Sequence, residues 1–150
     1  MKDKSNGIST QELWAKLFRS PVLERFFAEN GDDCTLPSFS DYIGDLCRSR
    51  EEKPAQILKR CNIERTFGHR LFSGERNPSR DTVLQLAFGF ELTTDETQQL
   101  LKVARASALH PKVRRDAVIA YCIHNGRTLT DTQQCLYDNH LPLIGETQNG

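Results

Sequence analysis

NIERTFGHRLFSGERNPS, residues Asn62 to Ser79, is the stretch on which the reading of this chain turns. Before it, PAQILKRC (Pro54 to Cys61) has the apolar spacing of a short helix; after it, SRDTVLQLAFGF is amphipathic. The order is helix, tight polar turn, helix, then a Gly-centred loop closed by Asn-Pro-Ser. A helix-turn-helix unit reads this way in sequence.

Working outward, Pro54 suits the first turn of a helix that buries Ile57, Leu58 and Cys61. Asn62 ends it, because Asn tolerates positive φ. Ile63, Phe67 and Leu71 mark the inner face of the next helix, and Gly74 stops it. Ser79 caps a helix with Val83, Leu84, Ala87 and Phe88 inside, and Thr93 with Glu96 has the spacing of a capping box for another. On the amino-terminal side, Phe39, Ile43, Leu46 and Cys47 form an apolar stripe at helical spacing.

Further upstream, Ser9 and Glu12 predict a capping box for a helix carrying Leu13, Trp14, Leu17 and Phe18. Pro21 opens a second one with Val22, Leu23, Phe26 and Phe27, and Asn30-Gly31 reads as a left-handed stop. Downstream, Val113, Ala117, Val118 and Tyr121 repeat helically as far as Asn125-Gly126. Thr130 with Gln133 predicts the cap of a last helix, and Leu141 to Ile144 an apolar tail that folds back. No segment alternates at period two, so the chain reads as all-α with about nine helices. The last two helices echo a helical hairpin, but no internal repeat stands out.

Four segments follow: a disordered tail (1–8), a helical arm and linker (9–37), a central helix-turn-helix domain (38–106) and a helical extension packed on it (107–150).

Composition bounds the function. Net charge is zero over 150 residues, which disfavours a strong nonspecific nucleic-acid binder. Residues 40–91 hold nine Lys/Arg and eight Asp/Glu, whereas 102–115 hold Lys102, Arg105, Lys112, Arg114 and Arg115 with no acid. The start MKDKSNGIST has no secretory pattern, and no apolar run approaches the ~20 residues of a membrane span. Five cysteines with no Cys-x-x-Cys pair suggest reduced, core-filling thiols and a cytoplasmic setting. Cys122, His124, Cys135 and His140 match no standard zinc spacing. No phosphate loop, nucleophile elbow or metalloprotease motif occurs. No metal, cofactor or enzymatic activity is expected.

The central stretch resembles the Xre (λ-repressor-like) helix-turn-helix family over roughly residues 40–104. The resemblance is most specific in Gly74, Arg76, Asn77, Pro78 and Ser79 and the helix ending LAFGF. It implies a five-helix bundle, with amino- and carboxyl-terminal helical extensions here. Its third helix would read bases in the major groove, and it would bind a palindromic double-stranded operator as a homodimer. Carried over by position, the base readers are Arg65, Thr66, His69 and Arg70, and the phosphate contacts are Lys53, Arg76 and Arg80.

Several positions depart from that pattern. Asn62 stands for the turn glycine, Gly68 for an apolar core residue, and Pro54 for a polar phosphate-gripping residue. Glu64 and Glu75 bring negative charge beside the reading helix. These departures motivate an alternative: the fold is kept as a protein-interaction module that does not bind DNA. The aromatic arm helices read first as a flap packed on the central bundle and alternatively as a dimer interface or partner dock; the basic cluster Lys112, Arg114 and Arg115 reads first as a solvated helix start and alternatively as a wider DNA contact or a hold on an acidic partner.

Overall fold

A computed structural model describes residues 8–145, apart from the side chains of Asp33 and Cys34. All but one residue of the expected disordered tail lie outside that range. Among the described residues there are nine α-helices and no strands. By contacts the chain divides into two units, Met1–Pro37 and Ser38–Gly150.

The first unit holds α1 (Thr10–Arg19) and α2 (Leu23–Asn30), followed by a 3₁₀ turn, Gly31–Cys34. The capping box forms as expected: Ser9 Oγ accepts from Glu12 N–H and Glu12 accepts from Ser9 N–H. Phe26 is buried, and Trp14 stacks on Phe18 with centroids 5.4 Å apart. Two expectations fail here. Val22, not Pro21, precedes the first turn of α2. Gly31 is right-handed at φ −55, because the Asn30 side chain donates to Phe26 O and the chain coils on into the 3₁₀ turn.

The second unit runs α3 (Phe39–Ser49), α4 (Pro54–Arg60), α5 (Arg65–Ser73), α6 (Arg80–Gly89), α7 (Thr94–Val103), α8 (Arg114–His124) and α9 (Leu129–Asp138). Its core gathers Ile43, Ile57, Leu71, Leu84, Leu100 and Leu136, all fully buried. Helix α4 packs on α5 and α6, and α3 on α5. Cys47, Cys61 and Cys122 are buried as free thiols, and burial pushes Cys61 up to about 12.

An internal repeat does exist, and it corrects the sequence reading. Arg80-Asp81-x-Val83 recurs as Arg115-Asp116-x-Val118; Thr93, Thr97, Gln98, Gln99 and Leu101 recur as Thr128, Thr132, Gln133, Gln134 and Leu136. Helices α7 and α9 match end to end at the same offset. The hydrogen bonds recur too. Gln98 exchanges two bonds with the backbone of Leu109 (3.0 and 2.8 Å), and Gln133 does the same with Ile144 (2.9 and 2.8 Å). Thr97 and Thr132 each donate back to the carbonyl of the cap residue, Thr93 and Thr128. The last helix is therefore capped by Thr128 with Asp131, not by Thr130 with Gln133.

The two hairpins α6–α7 and α8–α9 bind each other reciprocally. Arg80 Nη2 meets Asp116 Oδ2 at 2.9 Å, while Arg115 grips both Asp81 oxygens at 3.1 and 3.0 Å. Each arginine also holds the carbonyls of its own repeat's trailing loop: Ser107 and Ala108 for Arg80, Pro142 and Leu143 for Arg115. Each aspartate accepts from the other repeat's loop, Gly145 N–H for Asp81 and His110 N–H for Asp116. Packing of α6 on α9 is mirrored by α7 on α8. Exchanged contacts of this kind define a pseudo-twofold axis within one chain.

Candidate functional site

The turn between α4 and α5 is built by short-range chemistry. Helix α4 ends at Cys61, and Asn62 takes the left-handed conformation at φ 55. Gln85 on α6 donates to the carbonyls of Cys61 (3.1 Å) and Asn62 (3.3 Å), which closes the otherwise open end of α4. Arg60 Nε donates to Gly89 O at 2.9 Å. A side chain at position 89 would meet Ile57 O and Cys61 Cβ at 3.0 Å, so the glycine of LAFGF lets α4 lie against α6.

Glu64 is the amino-terminal cap of α5. Its carboxylate accepts from Phe67 N–H and Thr66 N–H, both at 2.9 Å. Those bonds, Phe67 first, hold its pKa below the ordinary value. The acid that looked misplaced in sequence thus starts the helix. Gly68 is explained likewise. A β-carbon there would fall 2.5 Å from both Leu58 methyls, so Leu58 fills the space a core side chain would take. Leu71 is buried and Ile63, Phe67 and Phe72 are partly buried, which seats the inner face of α5. Gly74, at φ 88, ends the helix.

The opposite face of α5 is exposed. Arg65, Thr66, His69 and Arg70 line one shallow cleft, together with Ser73 and Glu75. The structure therefore brings the four expected base readers together. Arg70 Nε lies 3.7 Å from Glu75 Oε1, a loose contact between exposed groups that contributes little stability. Arg65 has no carboxylate partner among the described residues.

The expected phosphate contacts divide. Lys53, before α4, and Arg76, in the loop after α5, are exposed and unpaired among the described residues. Arg80 is a correction: its guanidinium is engaged by Ser107, Ala108 and Asp116, and its side chain is only 25% exposed. Arg115 departs from the basic-cluster expectation for the same reason, since it is bound to Asp81 and two loop carbonyls. Local sequence reading placed Leu58 inside its helix but missed its contact with Gly68, and it missed Gln85 and this clamp, because each acts on a residue distant in the chain. Of Cys122, His124, Cys135 and His140, the two cysteines are neighbours, but among the described residues no three metal-ligating side chains converge. No helix among them is long and apolar enough to cross a membrane.

No protein-family model matches the chain, and neither a curated protein nor a solved structure does so.

Proposed function

We propose that residues 38–106 form a λ-repressor-like helix-turn-helix domain and that the chain is a cytoplasmic, sequence-specific transcriptional regulator with no catalytic role. The observation that carries this reading is the two-sided character of α5. Its inner face is seated by Leu71, Phe67 and the Leu58–Gly68 contact, while Arg65, Thr66, His69 and Arg70 stand together in solvent. A helix of nine residues is about 13 Å long, comparable to the width of the major groove at about 12 Å. Arginine can pair bidentately with guanine, and threonine can touch a thymine methyl. Lys53 and Arg76 are the remaining phosphate contacts, and Arg80 leaves that set.

A palindromic operator would be bound by two copies, with reading helices about 34 Å apart. The surfaces that α6–α9 bury against each other are not free for that pairing. Exposed apolar side chains of the arm, Trp14, Phe18 and Phe27, are the candidate contacts. A second reading, in which the same face docks a protein, is motivated by the acids Glu64 and Glu75 beside α5 and the near-neutral charge of residues 40–91.

Selection from a pool of random double-stranded DNA, followed by anisotropy titration of the enriched sequence at rising salt, tests the proposal. A recurrent half-site should emerge, with log affinity falling by about 0.9 per phosphate contacted for each decade of salt. No enrichment, or affinity indifferent to salt, would leave the protein-docking reading.

A further inference from the structure

A cavity of about 660 Å³ opens where the ends of α6 and α8 meet the first turns of α7 and α9. It lies between the two repeats, and corresponding residues of each line it: Phe88 and Ile123, Thr93 and Thr128. Its volume is within the range of small-molecule sites, roughly 300–1,000 Å³. Phe88, Leu92, Ile123 and Leu129, all buried, give it an apolar floor. The Thr94 hydroxyl at its edge is the one buried side-chain polar atom with no hydrogen-bond partner among the described residues.

The rim is basic because the repeats differ there. Arg127 stands where the first repeat has Leu92, His124 where it has Gly89, and Gly126 where it has Glu91. Gly89 is required by the close approach of α4, whereas His124, its counterpart, is exposed. Arg60 completes the rim from α4, but it is already held by Glu52 at 2.8 Å and by Gly89 O. Arg127 has no carboxylate partner among the described residues; its Nη1 donates to Cys135 Sγ at 3.9 Å and its guanidinium carbon lies 5.7 Å from the centroid of the Tyr121 ring. Glu91 is the single acid in the lining.

We infer that this cavity is a binding site for an organic anion, a carboxylate or phosphate carried on an apolar body, with Arg127 as its charge partner. The apolar body would lie on Phe88, Leu92, Ile123 and Leu129. The site stands apart from α5 and goes beyond the DNA reading: it holds whether or not the chain binds DNA.

The test uses the full chain and two dyes of like aromatic body, anionic anilinonaphthalene sulfonate and neutral N-phenylnaphthylamine. Fluorescence titration should show one saturable site for the sulfonate, bound about tenfold or more tighter than the neutral dye, the factor one charge-assisted contact carries. Arg127→Leu, which restores the first repeat's residue at an exposed position, should abolish that preference without weakening neutral-dye binding. Arg127→Gln should do the same, and Arg114→Ala, outside the cavity, should do nothing. In amide NMR spectra the sulfonate should move Thr94, Gly126 and Thr128. Equal affinity for both dyes, a preference that survives both Arg127 variants, or shifts confined to the arm around Trp14 would overturn the inference.

Discussion

Leu58 occupies the space into which a β-carbon at Gly68 would project: both of its methyls lie 2.5 Å from that point and its Cγ 3.0 Å. This pair lies where α4 packs on α5, and Gly68→Ala therefore has two opposed effects. Helix propensity gains about 1 kcal/mol, while forcing a methyl into a packed crossing costs about 1–3 kcal/mol. Steric cost should win, lowering the urea midpoint. In a Leu58→Ala background the obstruction is gone and Gly68→Ala should stabilise. A double-mutant cycle with no sign reversal would show that some other contact sets the crossing.

The Asp81–Arg115 pair should make stability acid-sensitive. Burial pushes the Asp81 carboxyl up, but the Arg115 bonds, Gly145 N–H and the charges of Arg115 and Arg80 outweigh it and hold the pKa below the ordinary value. The folded carboxyl thus loses its proton more readily than the unfolded one. Its contribution is complete above the unfolded pKa of about 3.9 and disappears as pH falls through the lower folded value. Urea midpoints should fall below about pH 4, and less steeply in Asp81→Asn. At neutral pH, Asp81→Ala should cost about 3–5 kcal/mol, because it strands Arg115, whose side chain is 18% exposed.

Arginines of like appearance in sequence should separate by assay. On the selected DNA, Arg70→Ala should cost about 1–3 kcal/mol and relax one base position, whereas Arg76→Ala should weaken all sequences alike and lower the salt slope by about 1. Arg80→Ala should instead lower the unfolding midpoint, since its partners are Ser107, Ala108 and Asp116. Unchanged specificity in Arg70→Ala would remove that residue from the reading set.

Asn62 at φ 55 makes the α4–α5 turn sensitive to residue type. Asn62→Gly should be neutral or stabilising, and Asn62→Val should cost about 1–2 kcal/mol. Thermal melts of the two variants moving together would show that backbone strain does not govern this turn.

Legibility in the sequence followed the range of the interaction. Caps were readable at Ser9, Ser79 and Thr93 because a side chain bonds a backbone group three residues away. Thr128 escaped because Thr130–Gln133 has the same spacing, and Asp131 closed the box in place of a longer acid. Helix ends at Glu51, Glu91, Arg105 and His140 adopt positive φ with no glycine to announce them. The inner face of α5 was legible from helical period and its outward residues from the family resemblance, whereas the engagement of Arg80 and Arg115 needed partners about a repeat away. The repeat itself was within reach of self-comparison; its identities fall on clamp and cap positions, where a search for apolar stripes does not look.

The paired hairpins α6–α7 and α8–α9 give one polypeptide an arrangement that two-chain assemblies obtain from identical subunits. In a true dimer every substitution strikes both sides of the axis, so neither side can specialise. Here each half is encoded separately, and drift in one leaves the other intact. Arg127 and His124 could therefore arise opposite Leu92 and Gly89 without loosening the grip of α4 on α6. One copy anchors α4, and its twin is at liberty to acquire chemistry of its own.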